Sequence, residues 1–129
     1  MIKSGILNPA INSLLSRVRH TNTLVISDRG FPFWTGIETI DISLIDDVPT
    51  VLQVLRAVRG NFHIGRAYMA EEFQSSNAQL AMSDLISVLA GVPLGFEPHV
   101  DFKKRVPQAI GLIRTGDTTQ YANIILESA

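Results

Sequence analysis

The chain has 129 residues, 46% hydrophobic and 18% charged, which is the length and mixture of one globular domain with a single core rather than two. Eleven lysines and arginines against twelve aspartates and glutamates leave a formal charge of −1, so no whole-molecule field would draw in nucleic acid or an anionic membrane. The count of zero cysteines excludes disulfides, thiolate nucleophiles and thiolate metal sites, and it suits a reducing, cytoplasmic setting.

No apolar run approaches the roughly 18 residues of a membrane span, and Met1–Gly5 lacks the apolar block of a secretion signal, so a soluble, unprocessed chain is expected. Asn8 before Pro9 is an N-cap with proline in the first turn. Ile11, Leu14, Leu15 and Val18 then recur at helical spacing, which predicts an amphipathic helix ending near His20. Thr23–Ser27 encloses the apolar run Leu24-Val25-Ile26, as expected of a strand covered on both faces, and Asp28-Arg29-Gly30 breaks it. Ile40 and Ile42 alternate with Thr39, Asp41 and Ser43, a second strand signal. After Asp46, Asp47 and Pro49, a helix carries Val51, Leu52, Val54, Leu55 and Val58 and should stop at Gly60 in the left-handed conformation. Phe62–Ala70 reads as a strand, after which Ser76 or Asn77 should cap a helix running through Leu80, Leu85, Ile86, Val88 and Leu89 to Gly91. Ala109–Arg114 and Asn123–Leu126 read as strands on either side of the turn-rich Thr115–Thr119. Strands alternating with helices predict a single α/β domain over residues 1–129, a three-layer α/β/α sandwich with a mostly parallel or mixed sheet.

In such sheets ligands collect where strands end and connections diverge, which marks three corners: His20 with Asp28, Pro98-His99, and Tyr121-Ala122-Asn123. His20 at a helix end and Asp28 after the next strand could share an edge of the sheet. An imidazole beside a carboxylate suits general acid/base work. Equally, His20 could complete a helix end and Asp28 cap a turn. Tyr121 and Asn123, if extended, would point to one side of the backbone, and a ring with an amide suits a polyhydroxylated ligand, although packing plus a turn contact accounts for them as well. His63 falls inside a predicted strand and reads as structural. His20, His63 and His99 lie too far apart for a helical metal motif. Lys103-Lys104-Arg105 is a solvated face, and no Walker loop, GxGxxG or GxSxG motif is present.

The whole chain nevertheless resembles the D-ribose pyranase and fucose mutarotase family. The likeness rests on Gly5-Ile6-Leu7-Asn8, His20 before the first strand, Asp28-x-Gly30-x-Pro32, Ile40-Asp41, Val48-Pro49 and Ala70-Glu71-Glu72. It continues through Pro98-His99-x-x-Phe102-Lys103 and Ile113-Arg114-Thr115-Gly116 to Tyr121-Ala122-Asn123-Ile124. The resemblance implies an isomerase that interconverts pyranose and furanose forms of a monosaccharide such as D-ribose, without metal or redox cofactor. It implies ring-shaped homo-oligomers, often decamers, with sites near subunit contacts. By position, His20 resembles the family's proton donor. Asp28, His99, Tyr121 and Asn123 resemble its sugar-binding groups, with Ala122 contributing backbone. The Pro98-His99 segment favours the ribose branch over a fucose-type mutarotase. Arg29 and the run Phe31-Pro32-Phe33-Trp34 depart from the family pattern, and the chain ends at Ala129 without the short apolar tail of many relatives. Two further classes stay open: a non-catalytic monosaccharide-binding or regulatory protein using the same pocket, and an oligomeric scaffold with Phe33 and Trp34 as contacts.

Overall fold

The computed structural model describes all 129 residues. Helix α1 (Pro9–Arg17) begins as its sequence requires, with Asn8 Oδ1 accepting the Ile11 N–H at 3.0 Å and Pro9 in the first turn. Then come β1 (Thr23–Ser27), β2 (Glu38–Asp41), α2 (Val51–Arg59), β3 (Ile64–Ala70), α3 (Glu71–Ser76) and α4 (Gln79–Leu89). The chain closes with β4 (Leu94–Glu97), α5 (His99–Arg105), a 3₁₀ turn at Val106–Gln108, β5 (Gly111–Arg114) and β6 (Ile124–Ser128). Helix α2 has a reciprocal cap: Thr50 Oγ1 accepts the Gln53 N–H, and Gln53 Oε1 accepts the Thr50 N–H.

The six strands lie in the order β2-β5-β1-β6-β3-β4. Strand β5 is parallel to β1 and β2, and β4 is parallel to β3, while β6 runs against both β1 and β3. Five strands therefore share one direction, and the sheet is mixed. Period-two alternation sends Leu24, Ile26, Ile124 and Leu126 into one apolar layer with α1 to α4. Val25, Leu112 and Ile125 face the other way, onto Phe31, Phe102 and Val106. The central strands are thus covered on both faces, as the three-layer expectation requires.

Several boundaries differ from expectation for local reasons. Helix α1 stops at Arg17 rather than near His20, because Val18 turns extended and Arg19 Nη1 donates to the Ser16 and Val18 carbonyls. Gly60 is right-handed, with φ −70°, so it ends α2 without the left-handed turn. Strand β3 starts at Ile64 rather than Phe62, after the Asn61 N–H closes the end of α2 on the Val58 carbonyl. Helix α3 is too short to display helical period, so the sequence carries no sign of it. Neither Ser76 nor Asn77 caps α4: the Asn77 amide donates instead to the carbonyls of Phe73 and Gln120, and α4 begins at Gln79 with no side-chain cap. Strand β5 begins at Gly111 because the Ala109 N–H closes the 3₁₀ turn on Val106.

Candidate functional site

At one edge of the sheet the five parallel strands end and β6 begins. Asp28 follows β1, Glu72 and His99 follow β3 and β4, and Asn123 precedes β6, so residues distant in sequence converge there. The connections leave a cleft of about 370 Å³ whose walls include Asp28, Phe31, His99, Gln120, Tyr121 and Asn123. Its place beyond the carboxyl ends of the strands, where the order of connections reverses, is the usual ligand position in α/β sheets.

Asp28 and Asn123 form one unit. The Asp28 N–H donates to Asn123 Oδ1 at 2.8 Å, and Asn123 Nδ2 donates to Asp28 Oδ2 at 3.2 Å. The Gly30 N–H donates to Asp28 Oδ1 at 3.0 Å, a local Asx turn that breaks the strand. Burial raises the Asp28 carboxyl above the ordinary aspartate range, and the nearby charge of Asp117 adds to this. The N–H groups of Gly30 and Phe31 and the Asn123 amide oppose it.

His99 is the first residue of α5. Pro98 has no side chain able to cap, and Glu72 substitutes, both of its oxygens accepting the His99 N–H at 3.0 and 3.1 Å. The His99 ring stacks on Phe102 at 6.0 Å and meets Phe31 and Tyr121 edge-on at 6.2 and 5.1 Å. Desolvation lowers its pKa, Lys103 adds to this, and Glu72 and Asp28 oppose it. Its Nδ1 is buried without a hydrogen-bond partner.

Tyr121 does reach the cleft beside Asn123, but not by alternation along an extended strand. Its φ of 57° places it in a left-handed turn, which ends with the Ala122 N–H donating to the Thr119 carbonyl at 3.3 Å. Ala122 itself is 5% exposed and buried in the larger apolar layer. The aromatic run divides: Phe31 is buried against Trp34, His99 and Phe102, whereas Phe33 is exposed. Arg29 pairs with Asp46 at 2.6 Å, both side chains being exposed.

The expected meeting of His20 and Asp28 does not occur within one chain. His20 lies exposed before β1, at the opposite edge of the sheet, where the Thr21 N–H donates to Ser128 and the Ser128 N–H to Asn22. All of β1 intervenes, roughly 16 Å at about 3.3 Å per residue. His63 occupies the same far edge, its carbonyl accepting the Ala129 N–H.

Three contributors escaped the sequence reading. Glu72 belongs to the Ala70-Glu71-Glu72 motif, but nothing in that motif assigns it a role. Arg114 donates to the carbonyls of Arg29, Phe31 and Pro32 at 3.1, 2.6 and 3.3 Å and so holds the loop that walls the cleft. Asp117 accepts the N–H groups of Val51 and Thr119 at 2.8 Å each, and its own carbonyl accepts from Arg29. An arginine ending a strand and an aspartate in a turn are too common to signal these duties.

The chain is similar to known proteins from end to end. It is 44% identical over 128 residues to a D-ribose pyranase of Geobacillus kaustophilus, covering 99% of this chain and 93% of the relative. It is 37% identical over 128 residues to a D-ribose pyranase of Limosilactobacillus fermentum, covering 99% and 97% respectively. Among solved structures, Bacillus subtilis RbsD complexed with D-ribose superposes with a TM-score of 0.94 at 31% identity, covering 100% of this chain and 98% of that one. The fucose mutarotase of Streptococcus pneumoniae in complex with L-fucose shares the fold, with a TM-score of 0.84 at 17% identity over 99% and 98% of the two chains. The model of the RbsD / FucU transport protein family matches residues 1–129, and the chain belongs to that family.

Proposed function

We propose that this protein is an isomerase that interconverts the pyranose and furanose forms of a monosaccharide of the D-ribose class. The observation that carries the reading is the convergence of a carboxylate, an imidazole, a phenol and an amide on one cleft with an aromatic floor. Asp28, His99, Tyr121 and Asn123 hold sugar hydroxyls, and aromatic carbon covers the C–H faces. The Ala122 backbone shapes the turn that carries Tyr121 to the site. Ribose is favoured over fucose by the Pro98-His99 segment and by the D-ribose pyranases among the similar proteins. No helix is long and apolar enough to cross a membrane. We assign the chain to the cytoplasm.

The chemistry opens the hemiacetal: the ring oxygen gains a proton as the anomeric hydroxyl loses one, giving the aldehyde, which recloses through another hydroxyl. We assign the proton donor to His20 of a neighbouring copy in a homo-oligomer, which we take to be a decameric ring. Two features support this. His20 cannot reach its own Asp28 across the length of β1, and the edge carrying Asp28 is flanked by exposed Phe33, Leu44, Ile45 and Val48, with Arg29 bound to Asp46 of that same segment.

The test is saturation-transfer NMR of anomer exchange across D-ribose, L-fucose and related sugars. Faster pyranose-to-furanose exchange of ribose is the expected result, and His20→Ala should abolish it with fold and assembly intact. Sugar binding without faster exchange would instead make the protein a binding or regulatory module. Failure to bind any pentose or 6-deoxyhexose would make it a scaffold.

A further inference from the structure

Ring opening needs a group that takes the anomeric proton as well as one that protonates the ring oxygen, and both must face one sugar. Of the side chains lining the cleft, Asp28, His99 and Tyr121 can exchange protons. Tyr121 presents a phenol, a natural donor to a sugar oxygen.

The surroundings of His99 make it a donor as well. Its Nδ1 is buried among Phe31, Phe102 and Tyr121 with no partner. An orphaned buried N–H is rarer than an under-satisfied acceptor, so the neutral ring keeps its hydrogen on Nε2 and offers that to the cleft. The Asp28 carboxylate is the opposite case. Its protein donors are the N–H groups of Gly30 and Phe31 and the Asn123 amide, and an ionised carboxylate has about four lone-pair sites, so the pair of oxygens retains capacity for substrate. Asn123 grips the residue at two points, backbone N–H and carboxylate, which fixes the direction of those lone pairs.

We propose that Asp28 is the general base that removes the anomeric proton, with Asn123 as its positioning residue; this rests on the cleft being a sugar-interconverting site. The O–H proton of the anomeric hydroxyl passes to an Asp28 oxygen, and the O–H electron pair becomes the second bond of the new carbonyl. The bond from the anomeric carbon to the ring oxygen breaks, and the ring oxygen takes a proton from protonated His20 of the neighbouring copy. Ring closure through another hydroxyl reverses both transfers: neutral His20 takes the attacking hydroxyl's proton and the Asp28 carboxyl returns its own to the carbonyl oxygen. Both residues end as they began. Desolvation of Asp28 strengthens it as a base, and the titratable groups around it are Asp117 and Tyr121 from the β5–β6 connection and His99 from α5, itself under Lys103 and Glu72.

The experiment is ribose exchange NMR on the assembled protein, wild type against Asp28→Asn and Asp28→Ala, with ribose line broadening to report binding. Asp28→Asn should lose about 10²-fold or more of the acceleration, and the wild-type rise of rate with pH through a carboxylate midpoint should vanish. Formate, a small free carboxylate, should restore exchange to Asp28→Ala. Asn123→Ala should move the wild-type midpoint upward, since it removes a donor to the ionised carboxylate; an unmoved midpoint overturns the positioning role. Exchange in Asp28→Asn within about twofold of wild type overturns the base, because general-base help of about 10²-fold or more cannot then come from this carboxylate. Failure of formate to rescue Asp28→Ala also overturns it. A wild type that accelerates exchange of no sugar overturns the functional reading itself, which the variants do not test.

Discussion

His99 shows how a single residue's surroundings set its charge. Stacked on Phe102 and partly desolvated, it has a lowered pKa, so the folded chain prefers the neutral ring. Below the unfolded value of about 6.5, the unfolded chain binds the proton first, and stability falls as pH drops until the lowered folded value is passed. The melting temperature should therefore decline between pH 7.5 and 5.5 more steeply in wild type than in His99→Asn, as read by scanning calorimetry. Arg114 is the second residue with an outsized duty. Truncating it to alanine removes three charge-assisted bonds to the Arg29–Pro32 loop, which should cost about 2 kcal/mol in thermal unfolding and weaken ribose binding about tenfold by calorimetric titration. Asp28, His99, Tyr121 and Asn123 were legible in sequence as a chemical set because their side-chain types suit one ligand. Their geometry was not. Nothing in Tyr121 announces a φ of 57°, and the eight-position offset from His20 to Asp28 says nothing of direction until β1 is seen to run between them.

Elements were legible where one local signal decided them. The run Leu24-Val25-Ile26 marked β1 within its true limits because burial on both faces leaves no other pattern. Helix α4 is legible in the sequence but its start is not, because Asn77 has an alternative use, binding two carbonyls outside the helix. Interactions between elements left no such trace, and Glu72 is the sharpest example. It caps α5 from α3, so Glu72→Ala should release the His99 amide by about 1 kcal/mol, seen as roughly fivefold faster hydrogen exchange there, while the exchange of α2 is unchanged. Gly116 is equally contextual. A Cβ there would run into the carbonyl oxygens of Ile45 and Val48, which are backbone and cannot swing aside. Gly116→Ala should cost about 1–3 kcal/mol in denaturant unfolding and loosen the segment that carries Asp46 and Asp47.

At the scale of the whole molecule, His20, proposed as the proton donor, and the cleft residues proposed to bind sugar occupy opposite edges of one sheet. Copies arranged head to tail, as in a closed ring, would place the His20 edge of one against the Asp28 edge of the next. Mixing inactive His20→Ala and Asp28→Asn chains after dissociation should then regenerate about a quarter of the sites, measured as recovered ribose exchange. Replacing exposed Leu44 and Ile45 by aspartate should yield a smaller particle in light scattering, since each such side chain contributes about 1.5–3 kcal/mol when fully buried. The position of β6 has a separate consequence. The last strand in the chain is the one inserted between β1 and β3, with two strands already beyond β1 on one side and one beyond β3 on the other. Until it arrives, there are two incomplete sheets, β2-β5-β1 and β3-β4, with open hydrogen-bonding margins facing each other. During synthesis the nascent chain must hold those margins apart from other polypeptides until β6 leaves the ribosome, and the whole architecture locks once it has, as an arch does when its keystone drops in.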